Sequence, residues 1–338
     1  MAALQKPFLI FFSLIYFQLC HAQKDKSYFK ADSIASLYKN ESLANLPLLT
    51  HKLTKDLNSE TSKFRAIYSW ISNNISFDNK LYEQNKRKTK KYGFNSKDLL
   101  EWNKNIKSRY LKNLRDKKTT VCNGYAYLLK KMCDLANIES EIIIGYGRNT
   151  EANVQGKPWV NHSWNSVKLN NQWYLCDATW SSGYIELNNK GVNFIHEYID
   201  GYFLASPSLF SYNHFPKNTE WLLKTELNNL DDFMTQVLIY KHAFQYNVKP
   251  ISHTQLNITT NRNEPIDFIF EFEKKDIEKI QVKLYSNKIT DYTNSTFTNL
   301  GNNQVTVSIT PKIKGTYEAH FFIEDKIIFT YTLKVQKK

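Results

Sequence analysis

The stretch K117-K-T-T-V-C-N-G-Y-A-Y-L-L-K-K-M-C133 places a cysteine immediately ahead of a helical apolar pattern. From Cys122 the stripe runs Tyr125, Leu129, Met132, Cys133 and Ala136, and Asn137 sits where a left-handed helix cap is expected. Cys133 falls on that stripe and reads as a small core hydrophobe. Cys122 has two readings, a buried structural thiol or a nucleophile at a helix start. The helix dipole favours thiolate there, and the free first-turn amides can hold an oxyanion. Gly124 reads as allowing close backbone approach near the thiol.

After this helix the period changes. S140-E-I-I-I-G-Y-G147 is strand-like, and H162-S-W-N-S-V-K-L169 and Q172-W-Y-L-C-D-A-T-W180 flank Asn170-Asn171, a two-residue hairpin loop. A cysteine nucleophile needs a base, and the base needs an orienting acceptor. The histidines beyond the first 22 residues are His51, His162, His196, His214, His242, His253 and His320. The hairpin singles out His162: its register sets His162 opposite Thr179, with Asp177 the diagonal neighbour on the same face. Cys176 then points to the opposite face, into the core. His196 and His214 read as surface or packing residues, and Trp164 and Trp180 as core aromatics in preference to cleft walls. Trp102, Asn105 and Asn113 are candidates for an upstream oxyanion donor.

The motifs V121-C-N-G-Y-A126, N161-H-S-W-N165 and C176-D-A-T-W180, with R65-A-I-Y-S-W-I-S-N-N-I-S-F-D78 upstream, resemble the transglutaminase-like superfamily. The later Y202-F-L-A-S-P-S-L-F-S-Y-N-H-F-P216 resembles the branch that includes the kyphoscoliosis peptidase. The resemblance implies an α+β, papain-like transglutaminase core with Cys122 as nucleophile, His162 as base and Asp177 as orienting acid. It implies attack on protein or peptide amide bonds, with discharge of the acyl-enzyme to water or to an amine. No cofactor is expected: no His/Cys/Asp cluster has metal spacing and no glycine-rich phosphate loop is present.

The chain has 338 residues and a formal net charge of +13. Residues 1–22 read as a signal peptide: Lys6, an apolar run from Pro7 to Leu19, and cleavage before Gln23. A lipoprotein anchor through Cys20 competes poorly with this, because Phe17-Gln18-Leu19 is too bulky and polar. Export is therefore expected, with no transmembrane anchor. Cys122 and Cys133, roughly 16 Å apart on one helix, cannot pair, whereas Cys133 with Cys176 is open.

Residues 62–77 form an apolar helical stripe through Phe64, Ile67, Tyr68, Ile71 and Ile75. Residues 80–118 hold 14 Lys/Arg against 4 Asp/Glu, or +10. That is a basic insertion, read either as a solvated helix pair or as a patch for a polyanionic envelope partner. No nucleic-acid module accompanies it. The papain-like domain is expected over 23–245, ending in a helix-like run from Thr219 to Phe244. Residues 246–338 alternate as short strands and read as a β-sandwich, Ig-like domain.

Overall fold

The computed structural model describes residues 28–337 except 94–95, 155, 189–190, 273–276, 278, 287–289 and 292–294. The expected signal peptide, 1–22, lies outside the described residues. Among those described, no helix is long and apolar enough to cross a membrane.

Three helices open the fold: α1 (Phe29–Leu37), α2 (Leu46–Thr54) and α3 (Glu60–Asn74). The α3 helix begins at Glu60 because Ser59 caps it, accepting from the Ser62 amide. It ends three residues before the apolar stripe does. Ile75 turns extended and leads into β1 (Ser76–Phe77), which pairs in parallel with β2 (Thr119–Thr120). Between these short strands the basic segment forms a helix pair, α4 (Asn79–Tyr92) and α5 (Lys97–Lys117). Its own small core joins Leu81, Ile106, Tyr110 and Val121. Its cations lie outward, and Lys88 sits over the Trp102 ring at 4.9 Å.

The central helix, α6 (Cys122–Leu135), packs on a sheet ordered β5–β4–β3–β8. Its strands are β3 (Ser140–Gly147), β4 (His162–Leu169), β5 (Gln172–Cys176) and β8 (His214–Pro216). The expected hairpin register holds, Asn165 facing Cys176 through to Leu169 facing Gln172. Both loop residues take positive φ, 50° at Asn170 and 63° at Asn171, as the tight turn requires. The strand expected to run to Trp180 stops at Cys176. Asp177 instead caps the short helix α7 (Ala178–Ser182), its side chain accepting from the Thr179 and Trp180 amides. A second hairpin follows, β6 (Gly183–Asn188) with β7 (Gly191–His196).

The run from Thr219 to Phe244 is not one helix. Leu223 takes a φ of 57°, and Asn229 caps a new start, so a 3-10 turn, a short helix (Leu230–Thr235), the strand β9 (Leu238–Ile239) and another short helix (Lys241–Tyr246) replace it.

The remainder is all-β. One sheet orders β10 (Val248–Pro250), β12 (Ile266–Phe272), β16 (Gln304–Ile309) and β15 (Thr296–Gly301). The other orders β11 (Asn257–Asn261), β18 (Lys326–Gln336), β17 (Gly315–Ile323), β13 (Gln281–Tyr285) and β14 (Thr290–Asp291). Aromatics from both sheets meet between them: Phe270 stacks on Phe329 at 5.1 Å, and Phe268 packs against Phe321 and Tyr331. The β9 strand pairs with β18 of this region.

Two large cores result. Phe64, Tyr68, Trp70, Tyr125, Leu129, Cys133 and Cys176 fill the first, under α3 and α6. The second is continuous from Ile143, Trp164 and Leu175 of the central sheet through Phe244 to Phe270, Phe329 and Tyr331.

Candidate active site

Cys122 is the first residue of α6 and only 8% exposed. Val121 precedes it as an N-cap with no side-chain acceptor; the Gly124 amide donates to the Val121 carbonyl at 2.8 Å, and the Cys122 and Asn123 amides are the first-turn donors left for a ligand. Gly124 serves another purpose than the one expected. A Cβ there would lie 1.9 Å from Thr120 Oγ1, so its smallness lets α6 press on the preceding strand.

His162 opens β4. Its Nε2 lies 2.7 Å from Asp177 Oδ2, which leaves Nδ1 for the Cys122 thiol on the same cavity wall, a thiol whose hydrogen bond in this structure goes to Asn123 Oδ1 at 3.7 Å. Gly147 makes room across the strand pair, since a Cβ there would sit 2.9 Å from His162 Cβ. Trp180 covers the imidazole, ring centroids 5.0 Å apart at 28°.

Asp177 is 1% exposed, and both its oxygens are occupied. Oδ1 accepts from the amides of Thr179 at 2.8 Å and Trp180 at 3.2 Å. Oδ2 meets Nε2 of His162 and, at 3.0 Å, Nε2 of His214. Burial alone would raise its pKa, but the two imidazoles hold the carboxyl far below its usual range. Burial pulls His162 down, and the charge and hydrogen bond of Asp177, with the contact to Cys122, more than reverse this and raise it. The site therefore holds a carboxylate beside an imidazole that favours its protonated form, the partner a thiolate needs.

The three predicted residues come together on three separate elements. His214, read from the sequence as surface or packing, joins them. It comes from β8, beyond β3 on the far side of the sheet, so no local spacing points to it. Its one sequence signal is its setting in Y212-N-H-F-P216, where Phe215 and Pro216 flank an imidazole with no solvent access. His162, Asp177 and His214 bring possible ligand atoms within 4.8 Å of one another, a clustering that sequence spacing did not foreshadow. Their short contacts run through one shared carboxylate oxygen, the pattern of a hydrogen-bonded network.

A cavity of about 940 Å³ opens beside Cys122 and His162. Tyr82 and Glu83 of α4, Trp180, Tyr184 and Ile185 of β6, and Ile327 of β18 are among its walls. Trp180 is thus a cleft wall, contrary to the sequence reading, while Trp164, at 1% exposure, is core as expected. None of the three proposed oxyanion donors lines the cavity. Trp102 donates to Asn85, Asn113 to Asp78, and Asn105 lies on the same outer helix. Tyr82 sits there instead, a phenol that burial pushes up to about 12, with the Cys122 charge adding to the rise. Cys122, Cys133 and Cys176 are all free thiols, so the open Cys133–Cys176 pairing is not made. Burial pushes the Cys133 thiol up to about 12 and that of Cys176 well above its usual value, leaving both inert.

Residues 48–178, which include the helix-start cysteine, the strand histidine and the capping aspartate, match the sequence profile of the transglutaminase-like superfamily. The chain carries a transglutaminase-like domain. It is similar to kyphoscoliosis peptidase of Mus musculus, 30% identical over 189 residues, 55% of this chain and 25% of that protein. The kyphoscoliosis peptidase of Homo sapiens is 26% identical over 303 residues, 86% of this chain and 41% of that one. The chain thus spans between a quarter and two-fifths of the length of these curated relatives. A solved structure described as a TGase is 17% identical, covers 53% of this chain and 40% of its own, and superposes with a TM-score of 0.28. The transglutaminase-like segment ends at Ala178, one residue past Asp177, so the profile match does not reach His214.

Proposed function

We propose that this protein is a cysteine-dependent acyl-transfer enzyme acting on protein or peptide amide bonds. Cys122 is the nucleophile, His162 its proton partner and Asp177 the orienting acid. The observation that carries the reading is the imidazole of His162, bonded to buried Asp177 at 2.7 Å and sharing one cavity wall with Cys122. In the mechanism, the thiolate attacks the amide carbonyl and the first-turn amides of α6 take the oxyanion charge. His162 then gives its proton to the leaving amine.

Water is the favoured acceptor, because the lysine-rich helix pair beside the cleft repels incoming cationic amines. Transfer to an amine is the second reading. It is favoured by Glu83 and Glu151 on the cavity rim, both within 3.8 Å of Lys86, whose carboxylates temper that repulsion. Supplying an amide substrate with a millimolar primary amine and quantifying both products decides between them. A dominant, Cys122-dependent amine adduct would sink the hydrolase reading. No product, with an unreactive thiol, would leave a noncatalytic binding protein.

We further infer export through residues 1–22 and a β-sandwich, Ig-like module after residue 245. The basic helix pair is a surface for a polyanionic envelope partner. A reporter fused after Gln23 that stayed in the cytoplasm would refute the export reading.

A further inference from the structure

Asp177 Oδ2 is shared by two imidazoles, and the mechanism uses only one. We propose that His214 is a positioning residue: as a neutral imidazole it donates Nε2–H to Asp177 Oδ2, keeping that carboxylate ionised and aimed at His162. The proposal rests on the Cys122–His162–Asp177 reading.

A carboxylate withdrawn from water takes up a proton unless donors satisfy its oxygens. At Asp177 two amides serve Oδ1, and His162 and His214 serve Oδ2. Without His214, Oδ2 would depend on His162 alone, the group it is meant to steer.

The His214 ring has no freedom to act otherwise. It stacks on Phe210 at 3.9 Å and 15°, with Trp180 at 4.4 Å and Trp164 edge-on at 5.0 Å. That aromatic box excludes water and disfavours charge, and burial lowers His214 to about 4. A second reason for neutrality is His162, 5.3 Å away between ring centroids, which favours the protonated form. In the structure Asn213 Oδ1 lies 2.6 Å from Nδ1, and Asn213 Nδ2 donates to the Tyr202 hydroxyl at 3.3 Å. With Nε2 donating, Nδ1 must accept. The Nε2–H tautomer therefore requires the Asn213 amide turned end for end, its N–H to the ring and its oxygen to Tyr202, an exchange that leaves the heavy-atom positions in place. The remaining titratable groups facing Asp177 are Tyr68, Tyr125, Tyr202 and Cys176, all pushed upward by burial and uncharged near neutrality.

The test is the iodoacetamide alkylation rate of Cys122 in the full chain, followed from pH 4.5 to 8. His214→Phe keeps a ring in the aromatic box and removes the donor. It should move the acid limb up by about one pH unit and slow labelling at pH 6 about tenfold. His214→Gln returns an amide N–H near the position of Nε2 and should restore the rate to within about threefold. A Phe variant as fast as the unaltered chain, or a Gln variant slower than Phe, would overturn the proposal and leave the triad standing. An unreactive Cys122 in the unaltered chain would overturn both. A measurement needing no variant is ¹⁵N NMR of histidine-labelled protein. His214 should appear as the neutral Nε2–H tautomer and not titrate between pH 5 and 8. An Nδ1–H tautomer, or titration in that range, would refute it.

Discussion

His162 and Asp177 are 15 positions apart in the chain and 2.7 Å apart in space, and a two-asparagine turn is what brings them there. The left-handed pair Asn170-Asn171 fixes the register of Asn165–Leu169 against Gln172–Cys176, and His162 and Asp177 lie just past the end of that ladder. Replacing both asparagines with valine, which disfavours positive φ, should cut Cys122 labelling at least tenfold while leaving α-helical circular dichroism near that of the unaltered chain. Unchanged labelling would mean the pair is held by other contacts.

The thiol itself is the next test. A thiolate facing an imidazolium alkylates well below the ~8.5 pKa of a free thiol. At pH 6.5 iodoacetamide should label Cys122 ahead of Cys133 and Cys176, and His162→Ala should slow it by roughly tenfold or more. Equal labelling of the three in folded protein, read by peptide mass spectrometry, would remove Cys122 from the role.

Stability should depend on pH with a sign set by three groups. His214 has its folded pKa lowered to about 4, so the native state resists a proton that the unfolded chain takes up, and stability falls as pH drops from about 6.5 toward 4. Asp177, also lowered, adds a loss at still lower pH. His162 is raised, so its contribution is complete below about 6.5 and declines as pH rises above that value. Between pH 7 and 5 the His214 part amounts to about 2 kcal/mol. Urea unfolding of His214→Phe should show a flatter acid slope in that window, and an identical slope would discard the assignment.

Arg65 is 5% exposed and binds Asp32 through Nε at 2.7 Å and a second nitrogen at 2.9 Å, with Asp200 also in contact. The asymmetry of exposure predicts an asymmetry of cost. Asp32→Ala leaves a buried cation half-compensated and should cost about 3 kcal/mol, whereas Arg65→Met leaves two largely solvated carboxylates and should cost less. Thermal denaturation of the two variants ranks them, and the reverse order would contradict the burial argument.

For the basic pair, retention on a polyanionic resin should fall steeply with salt. Replacing Lys86, Arg87, Lys88, Lys90 and Lys91 with Gln should weaken it without changing Cys122 labelling. Unaltered retention would reduce the segment to a solvated face.

What the sequence made legible follows one physical divide. Cys122, His162 and Asp177 could be read because each is fixed by local geometry: a helix start, a strand end and a two-residue turn. His214 could not, because β8 reaches Asp177 by pairing with β3 across a long intervening stretch. Trp180 was misread for a related reason. The Asp177 cap converts the expected strand to helix and swings the indole over the imidazole. The apolar spacing from Leu222 to Phe244 satisfies a helix as well as the broken path observed. Only the left-handed Leu223 and the capping Asn229, both tertiary choices, break it.

The pairing of β9 with β18 bears on how the molecule is made. The wall of the cleft that carries Lys326 and Ile327 belongs to a strand translated long after Cys122, His162 and Asp177. A nascent chain therefore carries these three side chains before the pocket beside them can close. The cavity gains its last wall only when synthesis has passed β18.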